Sequence, residues 1–134
     1  MTQEPRRSVG RMIKLVFNIR RRPDIDAAEF YRYWKDEHGP LVRSVADTLG
    51  IVRYVQSHTV DTPLNDLLRA SRDTEPRYDG VAELWWESMD DFAARLATPD
   101  AQAASAKLLE DEARFIDLRA TSIFMTEEHE IIPG

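Results

Sequence analysis

The sequence predicts an α+β domain: one four-stranded antiparallel sheet with its helices on a single face. Three observations carry this. Four segments alternate apolar and polar residues with period two. The stretches after the first and third of these repeat apolar residues every three or four positions, as amphipathic helices do. The elements follow one another as β-α-β-β-α-β, in a chain of 134 residues that has room for one core and not two.

Residues 1–11 are polar and unpatterned, so a flexible arm is expected ahead of a domain over 12–126 and a tail over 127–134. The first strand covers 12–19, with Ile13, Leu15, Phe17 and Ile19 on one face and Lys14, Val16 and Asn18 on the other. Asp26, with Glu29 three residues on, has the form of a capping box and opens the first helix. Along it Phe30, Trp34, His38 and Leu41 recur at spacings of four, four and three, which aligns them on one stripe. Gly39-Pro40 is expected to stop this helix directly after the histidine. A second helical piece then uses Leu41, Val45 and Leu49 and ends at Gly50.

The second strand spans 51–60, with Val52, Tyr54, Gln56 and His58 facing one way and Arg53, Val55 and Ser57 the other. The connection over 61–79 far exceeds the about two to five residues of a usual hairpin loop. It holds a short amphipathic helix (Leu64, Leu67, Leu68) opened by Thr62-Pro63, and is expected to be a mobile flap over a pocket mouth. Residues 80–87 form the third strand, setting Ala82, Leu84 and Trp86 against Val81, Glu83 and Trp85. Ser88 and Asp91 repeat the cap pattern before a helix with Phe92 and Leu96 inward. Thr98-Pro99 opens another, whose stripe is Ala101, Ala104, Leu108, Glu112 and Phe115. The fourth strand runs over 120–126, before the acidic tail with Ile131-Ile132.

This order is the split-βαβ, ferredoxin-like plan. Its helices cover one face of the sheet, yet strands two and three carry large apolar groups on both. Adjacent Trp85 and Trp86 must point to opposite faces. An uncovered face bearing tryptophan needs a partner, so a homodimer with sheets facing each other is expected.

Composition narrows the function. Hydrophobic residues make up 43% and charged residues 31%, and the formal charge of -6 argues against a nucleic-acid surface. Arg20-Arg21-Arg22 reads as a solvated turn. The absence of cysteine excludes disulfides, thiolate nucleophiles and cysteine-ligated metals. No apolar run of 18 residues and no signal-peptide pattern is visible, so no membrane association and a cytoplasmic location are expected. Phosphate-binding glycine loops and the nucleophile-elbow pattern are missing. The three histidines are scattered, with His129 among tail acids, and no metal or other cofactor is expected.

The motifs Phe30, Tyr33-Trp34, Asp36-Glu37-His38-Gly39-Pro40-Leu41, Tyr54-Val55-Gln56-Ser57-His58 and 78–85 (YDGVAELW) together resemble the EthD domain family. The resemblance spans 12–126. It implies the dimeric α/β-barrel superfamily, in which two ferredoxin-like protomers pack sheet to sheet, and a histidine at the position of His38 is shared by EthD-like proteins. Relatives in that superfamily include cofactor-free monooxygenases, polyketide cyclases, lactone isomerases and tailoring enzymes.

The expected activity is cofactor-independent acid–base chemistry on an aromatic, polyketide-like or other hydrophobic metabolite: dehydration, decarboxylation, isomerisation or cyclisation. His38 or His58 would be the base, because imidazole titrates near neutrality. Tyr54, four residues from His58 on the same strand face, would hold a developing oxyanion. Phe30, Trp34, Gln56 and Trp86 would wall the substrate pocket. His38 is expected at the pocket rim, partly hydrated, the rival role being a helix-end cap. Two other functions stay open: a non-catalytic ligand-binding or partner-stabilising dimer, and a cofactor-free oxygenase.

Overall fold

The structure, a computed structural model, describes residues 12–134, and the expected arm over 1–11 lies outside the described residues. β1 (Ile13–Ile19) lies in mid-sheet, antiparallel to β3 (Gly80–Trp86) and to β4 (Ser122–Glu127). β2 (Arg53–His58) pairs antiparallel with β3, giving the order β2-β3-β1-β4. The domain is α+β and ferredoxin-like, as the sequence predicts. The register lines up Phe17, Ala82 and Gln56 in one row and Leu15, Leu84 and Tyr54 in the next, so the alternation read from sequence becomes a single apolar face.

α1 (Ala27–Tyr33), α2 (Gly39–Leu49), α4 (Met89–Leu96) and α5 (Pro99–Glu112) accompany that face. Trp34, Phe30, Phe115 and Ile19 are the largest fully buried side chains. Each contributes about 1.5–3 kcal/mol by leaving water. Gly80 makes room for the largest. A Cβ there would lie 2.5 Å from the Trp34 ring and 2.7 Å from the Ser57 carbonyl, so the indole seats on β3 only because residue 80 has no side chain. Helix starts follow the sequence signals: Asp26, Ser88 and Thr98 accept hydrogen bonds from the backbone N–H of Glu29, Asp91 and Ala101 at 2.8, 3.0 and 3.2 Å. The reciprocal half of the first capping box is missing, because the Glu29 carboxylate is drawn to Arg32 at 2.6 and 2.8 Å. Gly50 closes α2 with φ of 79°, a left-handed turn that suits glycine.

Gly39-Pro40 does not stop the first helix. Residues Trp34–His38 form one π-helical turn, in which Gly39 N–H donates to the Trp34 carbonyl, and the chain runs straight into α2. Proline has no N–H to give and its ring crowds the carbonyl four residues back; a widened turn accommodates both. The extra residue also shifts the stripe. Phe30, Trp34 and His38 are buried as expected, but Val42 takes the next inward place at 3% exposure and Leu41 is half-buried.

Four further expectations change. Trp85 is not an uncovered patch, being 4% exposed. Arg53 and Lys14 hold their cationic groups 4.5 and 5.5 Å from its ring, and its N–H donates to Glu128 at 2.6 Å. On that open face the exposed large apolar group is Phe124. The tail is thus tied to the sheet at Glu128. Arg20-Arg21-Arg22 is no solvated turn: Arg20 donates to the carbonyls of Pro76 and Arg77, Arg21 to that of Ile25, and Arg22 to that of Ala113 while pairing with Asp24. The helix of the long connection, α3 (Leu64–Arg72), buries none of its residues, and Leu64, Leu67 and Leu68 all face solvent. Leu96 of α4 is also largely exposed. Among the described residues no helix is long and apolar enough to cross a membrane.

Candidate functional site

Three elements converge on His38. The π-turn carries it inward, where its side chain is 6% exposed, not at a hydrated rim. It caps no helix, since the helix continues through it. α5 brings Asp111 and Glu112 alongside. His38 Nδ1 lies 2.7 Å from Asp111 Oδ2, and the other carboxylate oxygen accepts the Tyr33 hydroxyl at 2.5 Å. A carboxylate on Nδ1 fixes the tautomer that carries its proton there, leaving the Nε2 lone pair free. Nε2 sits 4.0 Å from Glu112 Oε2. Burial pulls the His38 pKa below its ordinary value, and Asp111 partly opposes this through its hydrogen bond and charge.

Glu112 faces two cavities. A small chamber of about 40 Å³ is bounded by Trp34, His38, Val42, Tyr54 and Glu112. That is room for a water or one small group. A neighbouring cavity of about 300 Å³, which shares Phe17, Leu84, Leu108 and Glu112 with the chamber, lies between sheet and α4/α5, walled also by Leu15, Trp86, Phe92 and Leu96, with Glu112 its carboxylate. This is the lower end of the about 300–1,000 Å³ of small-molecule sites. Burial first, and then the charge of Asp111, push the Glu112 pKa up to about 7. A carboxyl group poised there exchanges protons in either direction at neutral pH.

Tyr54 lines the small chamber beside Glu112. Its pKa is pushed up to about 12, chiefly by burial and further by Glu112, against hydrogen bonds from Gln56 and Trp34. It therefore stays a neutral phenol whose O–H can be donated. Gln56 locks this corner: its Nε2 donates to Tyr54 Oη and to the Trp34 carbonyl, both at 2.8 Å, while its Oε1 lies 2.8 Å from His58 Nε2. His58 stacks at 4.4 Å on Trp34 and at 5.2 Å on Tyr31, and lines neither cavity. Burial, then the charge of Lys35, lower its pKa.

The structure thus brings His38, Tyr54 and Trp34 to one chamber, and Trp86 to the larger cavity. It sets His58 and Gln56 behind them and puts Phe30 in the core, packed against Trp34 at 5.8 Å. Sequence reasoning missed Tyr33, Asp111 and Glu112 as site residues. Glu112 carried a usable signal: a carboxylate four residues after Leu108 and three before Phe115 occupies a buried stripe, where an unpaired acid is costly. Asp111 carried none, because its partner is 73 residues away.

A sequence model of the EthD domain matches residues 22–119. No match was found among curated proteins. Among solved structures, an EthD family protein from Bacillus halodurans is 18% identical with a TM-score of 0.58, covering 88% of this chain and 99% of its own. A dimeric protein of unknown function and ferredoxin-like fold from Bacteroides fragilis is 11% identical with a TM-score of 0.54, covering 87% and 96%. SnoaB, a cofactor-independent oxygenase from Streptomyces nogalater, is 14% identical with a TM-score of 0.54, covering 92% and 99%. At these identities the likeness is one of fold.

Proposed function

The chain belongs to the EthD domain family, and from that premise we propose that it is a cofactor-independent acid–base enzyme for a compact hydrophobic metabolite. One observation carries the reading: a carboxyl group poised near neutrality on the wall of an apolar cavity, backed by an oriented imidazole. Glu112 is the general base. It takes a proton from a carbon or hydroxyl of a substrate held between Leu108 and Trp86. His38 Nε2 can accept that proton in turn, the imidazolium being stabilised by Asp111 at Nδ1. Tyr54 donates its O–H to negative charge that forms on a substrate oxygen reaching the chamber. The reaction class is enolisation, leading to isomerisation, dehydration, decarboxylation or cyclisation.

The homodimer belongs to the same reading. Exposed Phe124 on the open sheet face and the exposed leucines of α3 favour a partner copy. Sedimentation at micromolar concentration should show twice the chain mass. A second enzymatic reading, a cofactor-free oxygenase, is favoured by the fold likeness to SnoaB, since an enolate made by Glu112 is also what dioxygen would attack.

Solvent-deuterium exchange tests the reading without knowing the substrate. A two-ring carbon acid, β-tetralone, should exchange its activated C–H protons faster with the protein than with buffer, the rate rising through pH about 7 as Glu112 ionises. Glu112→Gln should cut the rate by about a hundredfold or more, the usual scale for a lost acid–base group. Binding of β-tetralone without any acceleration would favour the non-catalytic, ligand-binding alternative.

A further inference from the structure

A groove of about 400 Å³ runs along the outer edge of the sheet, between α2 and the free edge of β2. Its walls carry Lys35, Arg43 and Arg53 and no aspartate or glutamate. That is unexpected in a chain with a net charge of -6. Some arginines meet carboxylates, as in Arg22–Asp24 at 2.7 Å and Arg32–Glu29 at 2.6 Å, and others, such as Arg20 and Arg21, donate to backbone carbonyls. Lys35 and Arg43 have no acidic partner within 4.0 Å among the described residues, and Arg53 only stacks on Trp85. Lys35 and Arg43, with no carboxylate in the groove between them, repel one another unless an anion joins them.

The helix face beneath them is shaped for an occupant. Lys35, Gly39 and Arg43 come at intervals of four, so the glycine leaves a notch between two cations. A Cβ at Gly39 would only make ordinary contact with Gln56 Nε2 at 3.4 Å, so the glycine keeps this helix edge low beside the groove. Between the charges the lining is apolar: Val42, Ala46, Ile51 and Val52. Planar guanidinium groups hold a carboxylate with two parallel hydrogen bonds, and the hydrocarbon wall takes a ring or short chain beside it.

We propose that this groove is a second ligand site, separate from the Glu112 cavity, that binds a small amphipathic carboxylate. The anion sits between Arg43 and Lys35, and its apolar body lies on Val42, Ala46 and Ile51. Occupation offsets the like charge of Lys35 and Arg43 and leaves Glu112 untouched.

Titration of the intact protein with 2-naphthoate and with its neutral isostere 2-naphthamide, monitored by amide shifts and calorimetry, tests this. Naphthoate should bind at least tenfold more tightly, shift the Gly39 amide and weaken with salt. Arg43→Gln combined with Lys35→Gln should erase the tenfold preference. Both residues are exposed and unpaired, so the fold should survive. Glu112→Gln should leave naphthoate affinity unchanged, which separates failure here from failure of the acid–base reading. Inorganic phosphate should compete with naphthoate only weakly, lacking the apolar body. Equal affinity for the amide, full competition by phosphate, or shifts confined to Leu96 and Ser105 of the other cavity would each overturn the proposal.

Discussion

His38 and His58 share Trp34 as a neighbour and live in opposite electrostatic surroundings. His38 is walled in by α5, with Asp111 at 2.7 Å and Glu112 at 4.0 Å. His58 is half-buried between two aromatic rings, bonded to the neutral amide of Gln56, and the charge acting on it is the cation Lys35. Burial lowers both pKa values, but only His38 has an acid that pulls the other way. Two imidazoles that look interchangeable as bases in the sequence therefore differ in kind. A proton on His38 would meet a carboxylate, whereas the His58 ring lies stacked between Trp34 and Tyr31 and meets a neutral amide.

The largest expected effect removes what the two share. Trp34→Ala takes away the wall of the His38 chamber and the ring under His58 together, and should destabilise the fold by about 3–5 kcal/mol, as large-to-small core changes do. Urea denaturation monitored by circular dichroism measures it. A loss below about 1 kcal/mol would break the comparison, since the two histidines would then not hang on a common core residue.

Glu112→Gln sharpens the comparison on the His38 side, and its sign depends on pH. The folded Glu112 pKa is raised to about 7 from an ordinary 4.5, so the folded state binds this proton more tightly than the unfolded chain. The stability this contributes is full below the ordinary value and is lost as pH rises through the folded one. The loss is on the order of 3 kcal/mol at pH 8. Glutamine carries no charge, so the variant should be more stable than the parent at pH 8 and indistinguishable from it near pH 4. Equal stability at pH 8 would mean the carboxyl group is hydrated and not poised.

His58→Phe is the smallest effect. The ring stays stacked but its bond to Gln56 is lost, so stability at pH 8 should fall by about 1 kcal/mol. The pH-dependent change lies on the acid side. A histidine with a lowered folded pKa supports the fold above its ordinary 6.5 and loses that support as pH falls through the folded value. The variant should therefore show a shallower decline in melting temperature below pH 6.5 than the parent. An unchanged decline would assign the acid sensitivity to His38 and to the carboxylates of Asp24 and Glu29, which arginines hold below their ordinary values.

Local periodicity determined most of the fold. Strand alternation at 13–19 and 80–86, the caps at Asp26, Ser88 and Thr98, and the left-handed Gly50 are all governed by neighbours a few residues away, and each was legible in the sequence. The inward stripe of Phe30, Trp34 and His38 was legible for the same reason. The path of the chain beyond His38 was not. Gly39-Pro40 is a stop signal read locally, yet the π-turn carries the helix through it. Trp85 looked in need of a second protomer, but Lys14, Arg53 and Glu128 cover it from three separate segments. The site itself was the least legible part. The sequence supplied His38 and Tyr54 and placed Glu112 on a buried stripe, but Asp111 and Tyr33 join His38 only when α5 packs on the π-turn. A proton-transfer group is made by the charge a few ångströms from it, and that charge comes from residues tens of positions away, set by tertiary packing and by no pattern within either segment.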